Sequence, residues 1–166
     1  MVRRLRYLWA FLLAAAAAVL LRGLAVTLPG PATYVLSPLN ESAWELSKLV
    51  FWPYLCAALL LWRLEPAQGV RRGAHCAALV FATALMAALC RLTGDIAPVW
   101  LLFCIAVGGG MALYHTVLRR RARGGALWYL AAILLGVAYL LLTARPLTWG
   151  IFLDPRDAAA MAAIPF

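Results

Sequence analysis

The chain has 166 residues, of which 66% are hydrophobic, and a formal charge of +9 with a pI near 10.1. Soluble domains hold about 45–50% apolar residues, so the excess here has no water-shielded core to enter and must meet lipid. That excludes an ordinary soluble fold, and it makes the basic charge a membrane signal rather than a nucleic-acid one.

Five apolar runs are visible in chain order: Leu5 to Leu28, Ala43 to Leu64, Ala74 to Leu92, Pro98 to Leu118 and Ala126 to Ala144. A bilayer core of about 30 Å needs roughly 20 helical residues, which each run reaches or nearly reaches. Backbone groups cannot be left unpaired in hydrocarbon, and the alternating pattern of barrel strands is absent. The runs therefore predict an all-α, polytopic membrane bundle forming one integral membrane domain over residues 1–166.

Ten of the fifteen cationic residues lie in Arg3/Arg4/Arg6, Arg63/Arg71/Arg72 and Arg119/Arg120/Arg121/Arg123. Cytoplasmic loops carry such an excess, so the N-terminus is predicted inside and the C-terminus outside. Trp9, Trp62 and Trp128 then belong to an inner aromatic belt and Trp44, Trp100 and Trp149 to an outer one, with Trp52 within a span. The first run is read as a retained helix, although Gly23-Leu24-Ala25 imitates a signal-peptide cleavage site. Its Ala10, Ala14 and Ala18 form a small-residue ridge suited to close helix contact.

Pro29 to Ser42, with three prolines, is expected to be ordered coil or a shallow re-entrant turn. Ser42 and Glu45 form an S-x-x-E capping box that starts the second helix at Ala43 and holds Glu45 against that helix's own amides. Pro53 should bend the helix. Gly108-Gly109-Gly110 offers the fourth run either tight packing or a hinge. Cys56, Cys76, Cys90 and Cys104 lack disulfide or zinc spacing and read as small packing residues. The tail from Arg145 to Phe166 is too short and proline-broken to span, and is expected to fold over the outer helix ends.

The segment Asn40-Glu41-Ser42-Ala43-Trp44-Glu45-Leu46-Ser47-Lys48 carries the strongest functional signal. Helical spacing sets Glu41, Glu45, Lys48 and Trp52 on one stripe. A charge within a span costs about 2.5–3.5 kcal/mol on insertion scales, so Lys48 needs a carboxylate, and Glu45 is the nearest. Arg22, Arg91, Asp95, Arg145, Asp154, Arg156 and Asp157 are expected at the same outer depth. Five cations and five anions gather there, which suggests pairing. Either an ion-pair clamp across the helix ends or a solute or ion site fits these groups.

Asn40-Glu41-Ser42-x-Trp44-Glu45-x-x-Lys48 resembles the N-E-S-x-W-E-H-x-K signature of an uncharacterised family of small bacterial multi-spanning membrane proteins. Phe152-x-Asp154-Pro155 is similar to that family's C-terminal F-x-D-P element. Where the family carries histidine, this chain has Leu46 or Ser47. The resemblance implies the multi-span topology, a bacterial inner-membrane location and the choice of site residues, and no substrate.

Three function classes follow. A small transporter or channel-like protein would use Asn40, Glu41, Trp44, Glu45, Lys48, Trp52, Arg91, Asp95 and Asp154 as a charged outer site, in a homo-oligomer if a pore exists. An intramembrane glutamate-dependent hydrolase would activate water with the E-x-x-x-E pair but needs an imidazole or metal nearby. A non-catalytic assembly subunit would merely touch anionic lipid with its arginines. His75 and His115 could meet at the inner helix ends, but no further metal ligand has suitable spacing. No cofactor and no nucleic-acid partner are expected; the bilayer is.

Overall fold

The computed structural model describes residues 2–28, 30–64, 72–94, 96–118, 125–144 and 152. These residues form helices and no strand: α1 Val2–Thr27, α2 Pro31–Leu36, α3 Ala43–Leu64, α4 Arg72–Thr93, α5 Val99–Leu113 and α6 Gly125–Ala144. A π-helical turn, Tyr114–Leu118, prolongs α5. All of them but α2, with α5 counted through its π-turn, are long and apolar enough to cross a membrane, and they coincide with the five apolar runs.

Helix α3 is the most buried and stands at the centre, flanked by α1 and α4, while α4 also carries α5 and α6. The ridge of Ala10, Ala14 and Ala18 is fully buried and is the part of α1 that the bundle covers. Side chains of one carbon let the two backbones approach, so packing rather than polarity joins α1 to α3. Helix α6 keeps Leu127, Leu130, Ile133, Leu134, Val137, Leu140 and Leu141 exposed, an apolar face that water would not tolerate.

The glycine triplet packs instead of breaking α5. A Cβ on Gly110 would lie 2.8 Å from the Ala82 Cβ and 3.1 Å from the Ala78 carbonyl, so this glycine lets α5 sit directly on α4. Gly109 is tight only against the Leu85 side chain, and Gly108 faces open space. A closer approach, not foreseen from sequence, joins the starts of α4 and α6: a Cβ on Gly73 would come within 2.5 Å of the Gly125 Cα.

At the same end of the bundle His75 stacks on Tyr114 at 3.8 Å, Tyr7 lies 6.2 Å from Tyr114, and His115 meets Tyr7 edge-on at 5.6 Å. The starts of α1 and α4 therefore meet the end of α5. Together with the glycine contact, this gathers the helix ends that adjoin all three arginine runs. The two imidazoles are engaged by tyrosines, and among the described residues no group of three His, Cys, Asp or Glu side chains is placed to hold a metal.

One local expectation is corrected. Residues 31–36 are helical rather than coil: Pro31 occupies the first turn, where its missing N–H and fixed φ are harmless, and the helix stops before Pro38. Helix α3 runs on past Pro53, which is buried inside it. The tail from Arg145 to Phe166 lies outside the described residues apart from Phe152.

Gly73→Ala and Gly110→Ala should each destabilise the bundle by about 1–3 kcal/mol through overpacking, whereas Gly108→Ala should be neutral or stabilising by up to about 1 kcal/mol. Thermal unfolding in detergent compares the three.

Candidate functional site

Local backbone chemistry sets the position of the charged pair. The Ser42 hydroxyl accepts the Glu45 N–H at 3.2 Å and starts α3, while the Ser42 N–H donates to Asn40 Oδ1 at 3.1 Å. The capping box thus forms in one direction. Instead of turning back to its own helix start, the Glu45 carboxylate reaches the preceding bend, where Oε2 accepts the Leu39 N–H at 3.0 Å.

Lys48 is completely buried, Glu45 is 5% exposed, and their Nζ and Oε2 atoms lie 2.6 Å apart. The same ammonium donates to Thr143 Oγ1 at 2.7 Å and to the Tyr34 carbonyl at 3.3 Å. An ammonium has three N–H donors, so each has an acceptor. The three acceptors come from α3, α6 and α2. One turn deeper, Trp52 Nε1 donates to the Val35 carbonyl at 3.1 Å, giving α2 a second fastening.

Aromatic rings close the site below and beside the pair. Tyr139 is fully buried, hydrogen-bonds Ser47 through their hydroxyls, and lies 4.6 Å from Trp44 and 5.1 Å from Phe51 between ring centres. Phe152 lies 5.1 Å from Trp44, so the aromatic residue of the F-x-D-P element meets the tryptophan of the N-E-S-x-W-E segment. Between them lies a cavity of about 60 Å³ bordered by Asn40, Ser42, Trp44, Glu45, Thr143 and Phe152. That volume holds about two waters at roughly 30 Å³ each. The Trp44 indole N–H is buried and has no hydrogen-bond partner among the described residues.

The structure therefore brings together Asn40, Trp44, Glu45, Lys48 and Trp52. Glu41 is half-buried in the bend before Ala43 and so is not on the α3 stripe, because helical geometry begins after it. Arg91 is exposed in the last turn of α4 rather than in the buried cluster, and Arg22 lies over the Trp100 ring at 6.0 Å. Asp95, Arg145, Asp154, Arg156 and Asp157 lie outside the described residues.

Sequence reasoning missed Thr143, Tyr139, Ser47 and the Tyr34 and Val35 carbonyls. Tyr139 and Thr143 did carry a signal, since a four-residue spacing of hydroxyls stripes one face of an otherwise apolar α6. The two carbonyls left none, because every residue has one.

Chemically, the site is a carboxylate matched to a saturated ammonium, with a small cavity of mixed polar and aromatic lining beside it. No imidazole is near. Trp62, 17 residues beyond Glu45 on α3, packs against His75 at 6.3 Å between rings, which puts that histidine about 25 Å away along the axis. Comparison of the chain with known protein families, with curated proteins and with solved structures finds no match.

Removing one member of the pair strands a buried charge. Lys48→Met or Glu45→Leu alone should cost about 3–5 kcal/mol, and the double variant should recover most of that loss. Thr143→Val should cost about 1.5–3 kcal/mol, the range for a hydrogen bond to a charged group. Thermal unfolding in one detergent ranks all four.

Proposed function

We propose that the chain is a multi-pass protein of a bacterial cell membrane, with its N-terminus in the cytoplasm and its C-terminus outside, and that it is a small transporter or channel-like protein for protons or monovalent cations. Insertion is supported by five sufficiently long apolar helices, the exposed leucine face of α6 and the helix ends beside three arginine runs gathered at one end. Ionisable residues within membrane spans are costly and commonly mark substrate or ion pathways.

One observation carries the transport reading: a cavity of about 60 Å³ bordered by Asn40, Ser42 and Glu45, next to a wholly buried lysine. Glu45 would take up the cation or proton, Lys48 would hold its charge in the empty state, and Asn40 and Ser42 would line the entrance. A hydrolytic role for the glutamates has no support, given the distance to either imidazole-bearing helix end.

A second reading is favoured by a specific observation. All three Lys48 donors are already satisfied by protein acceptors, as in an architectural fastening within a non-catalytic membrane subunit.

Flux separates the two. In vesicles loaded with a pH- or cation-sensitive dye, the wild-type chain should conduct above protein-free vesicles, and Glu45→Gln should lower that flux by about tenfold or more. Asn40→Leu, which fills the cavity entrance and leaves the pair intact, should lower it too, at a stability cost of about 1 kcal/mol for the lost Ser42 N–H bond. Vesicles that conduct no better with the wild-type protein than without it would leave the fastening as the role. Sidedness is checked with Arg123→Cys in a cysteine-free background, which should be labelled only after the cytoplasmic face is opened.

A further inference from the structure

A groove separate from the charged pair runs between α3 and α6, with α4 as its floor. Its upper part, about 300 Å³, is almost wholly apolar and is walled by Phe51, Leu55, Leu59 and Trp62 of α3 with Ala132 and Gly136 of α6. Its lower part, about 440 Å³, shares Leu59 and Trp62 and is bordered by Arg63 and Arg72. The two cavities thus adjoin along one helix at Leu59 and Trp62, with the apolar one above and the arginine-bordered one below.

Dimensions and charge specify an occupant. Phe51 and Trp62 are about 16 Å apart along the α3 axis, close to half of a bilayer core of about 30 Å, so the apolar part is as long as one leaflet. Arg63 lies in the last turn of α3, Arg72 begins α4, and both are exposed. The Arg72 guanidinium lies over the Trp62 ring at 5.8 Å, which holds it at the groove's mouth. Paired guanidinium groups offer the fork geometry that phosphate oxygens accept.

We infer that this groove binds one anionic glycerophospholipid, with an acyl chain lying along Phe51 to Trp62 and the phosphate between Arg63 and Arg72. The inference rests on the membrane reading above but not on transport. The glycerol backbone sits at the Trp62 level, the depth at which indole rings favour the interface. Basic clefts between helix ends on the positively charged side are suited to this role, because anionic headgroups there gain the arginine attraction while the chain stays in hydrocarbon.

Native mass spectrometry of the full chain, extracted from vesicles of equal parts phosphatidylglycerol and phosphatidylcholine, tests it. Wild-type protein should retain phosphatidylglycerol about tenfold over phosphatidylcholine, as two arginines at roughly 1 kcal/mol each allow. R63Q/R72Q, altered only at exposed positions, should lose that preference. Ala132→Phe, which fills the apolar part, should lower retention of both lipids. Equal retention of the two lipids by the wild type, a preference that survives R63Q/R72Q, or unchanged retention in Ala132→Phe would each overturn the proposal. Failure of the membrane reading looks different: the protein would then be released from the vesicles by an alkaline wash.

Discussion

A lysine ammonium that has been taken wholly out of solvent must find a counter-charge and acceptors for three N–H groups, and this single demand organises the end of the bundle opposite the arginine runs. Glu45 supplies the charge from the same helix. The remaining acceptors must come from elsewhere, and they come from α6 and from the backbone of α2. A helix as short as α2 is too short to be stable alone. It holds its place because a buried cation and an indole N–H each claim one of its carbonyls. The order is thus chemical before it is topological: the unmet needs of Lys48 and Trp52 recruit the segment between the first two long helices.

The rest of the bundle depends on a different economy, that of small side chains. Where small side chains face each other, helices are held by backbone proximity. Alanines on α1, Gly110 on α5 and the glycines at the starts of α4 and α6 provide it at three separate interfaces. Larger apolar residues fill the rest of the core, Leu49, Phe51, Leu79, Met86 and Phe103 among them, and also cover the exposed faces.

The five long helices were legible in the sequence because apolar length is a property of local composition, and the alanine ridge because its four-residue spacing is periodic. The Glu45–Lys48 pair was legible for the same reason, since both residues share one helix. What escaped was non-local or carried by the backbone. Thr143 lies 95 residues from Lys48, and the Tyr34 and Val35 carbonyls are common to all residues. The conformation of residues 31–36 was misjudged because three prolines suggest coil, whereas Pro31 at a helix start favours the turn that follows. Glu41 was assigned to the α3 face by extending helical spacing two residues past the helix's beginning. The glycine triplet allowed two readings until the distance from Gly110 to Ala82 decided for packing.

The backbone contact between Gly73 and Gly125 would serve α6 as a pivot pin. Thr143 stands 18 residues along that helix, about 27 Å from the pin, so a tilt of roughly 5° would carry it sideways by about 2 Å. That displacement exceeds what its bond to the lysine can stretch. Slight rocking at the arginine-bearing end would therefore arrive, magnified by leverage, as the making or breaking of one hydrogen bond at the opposite end.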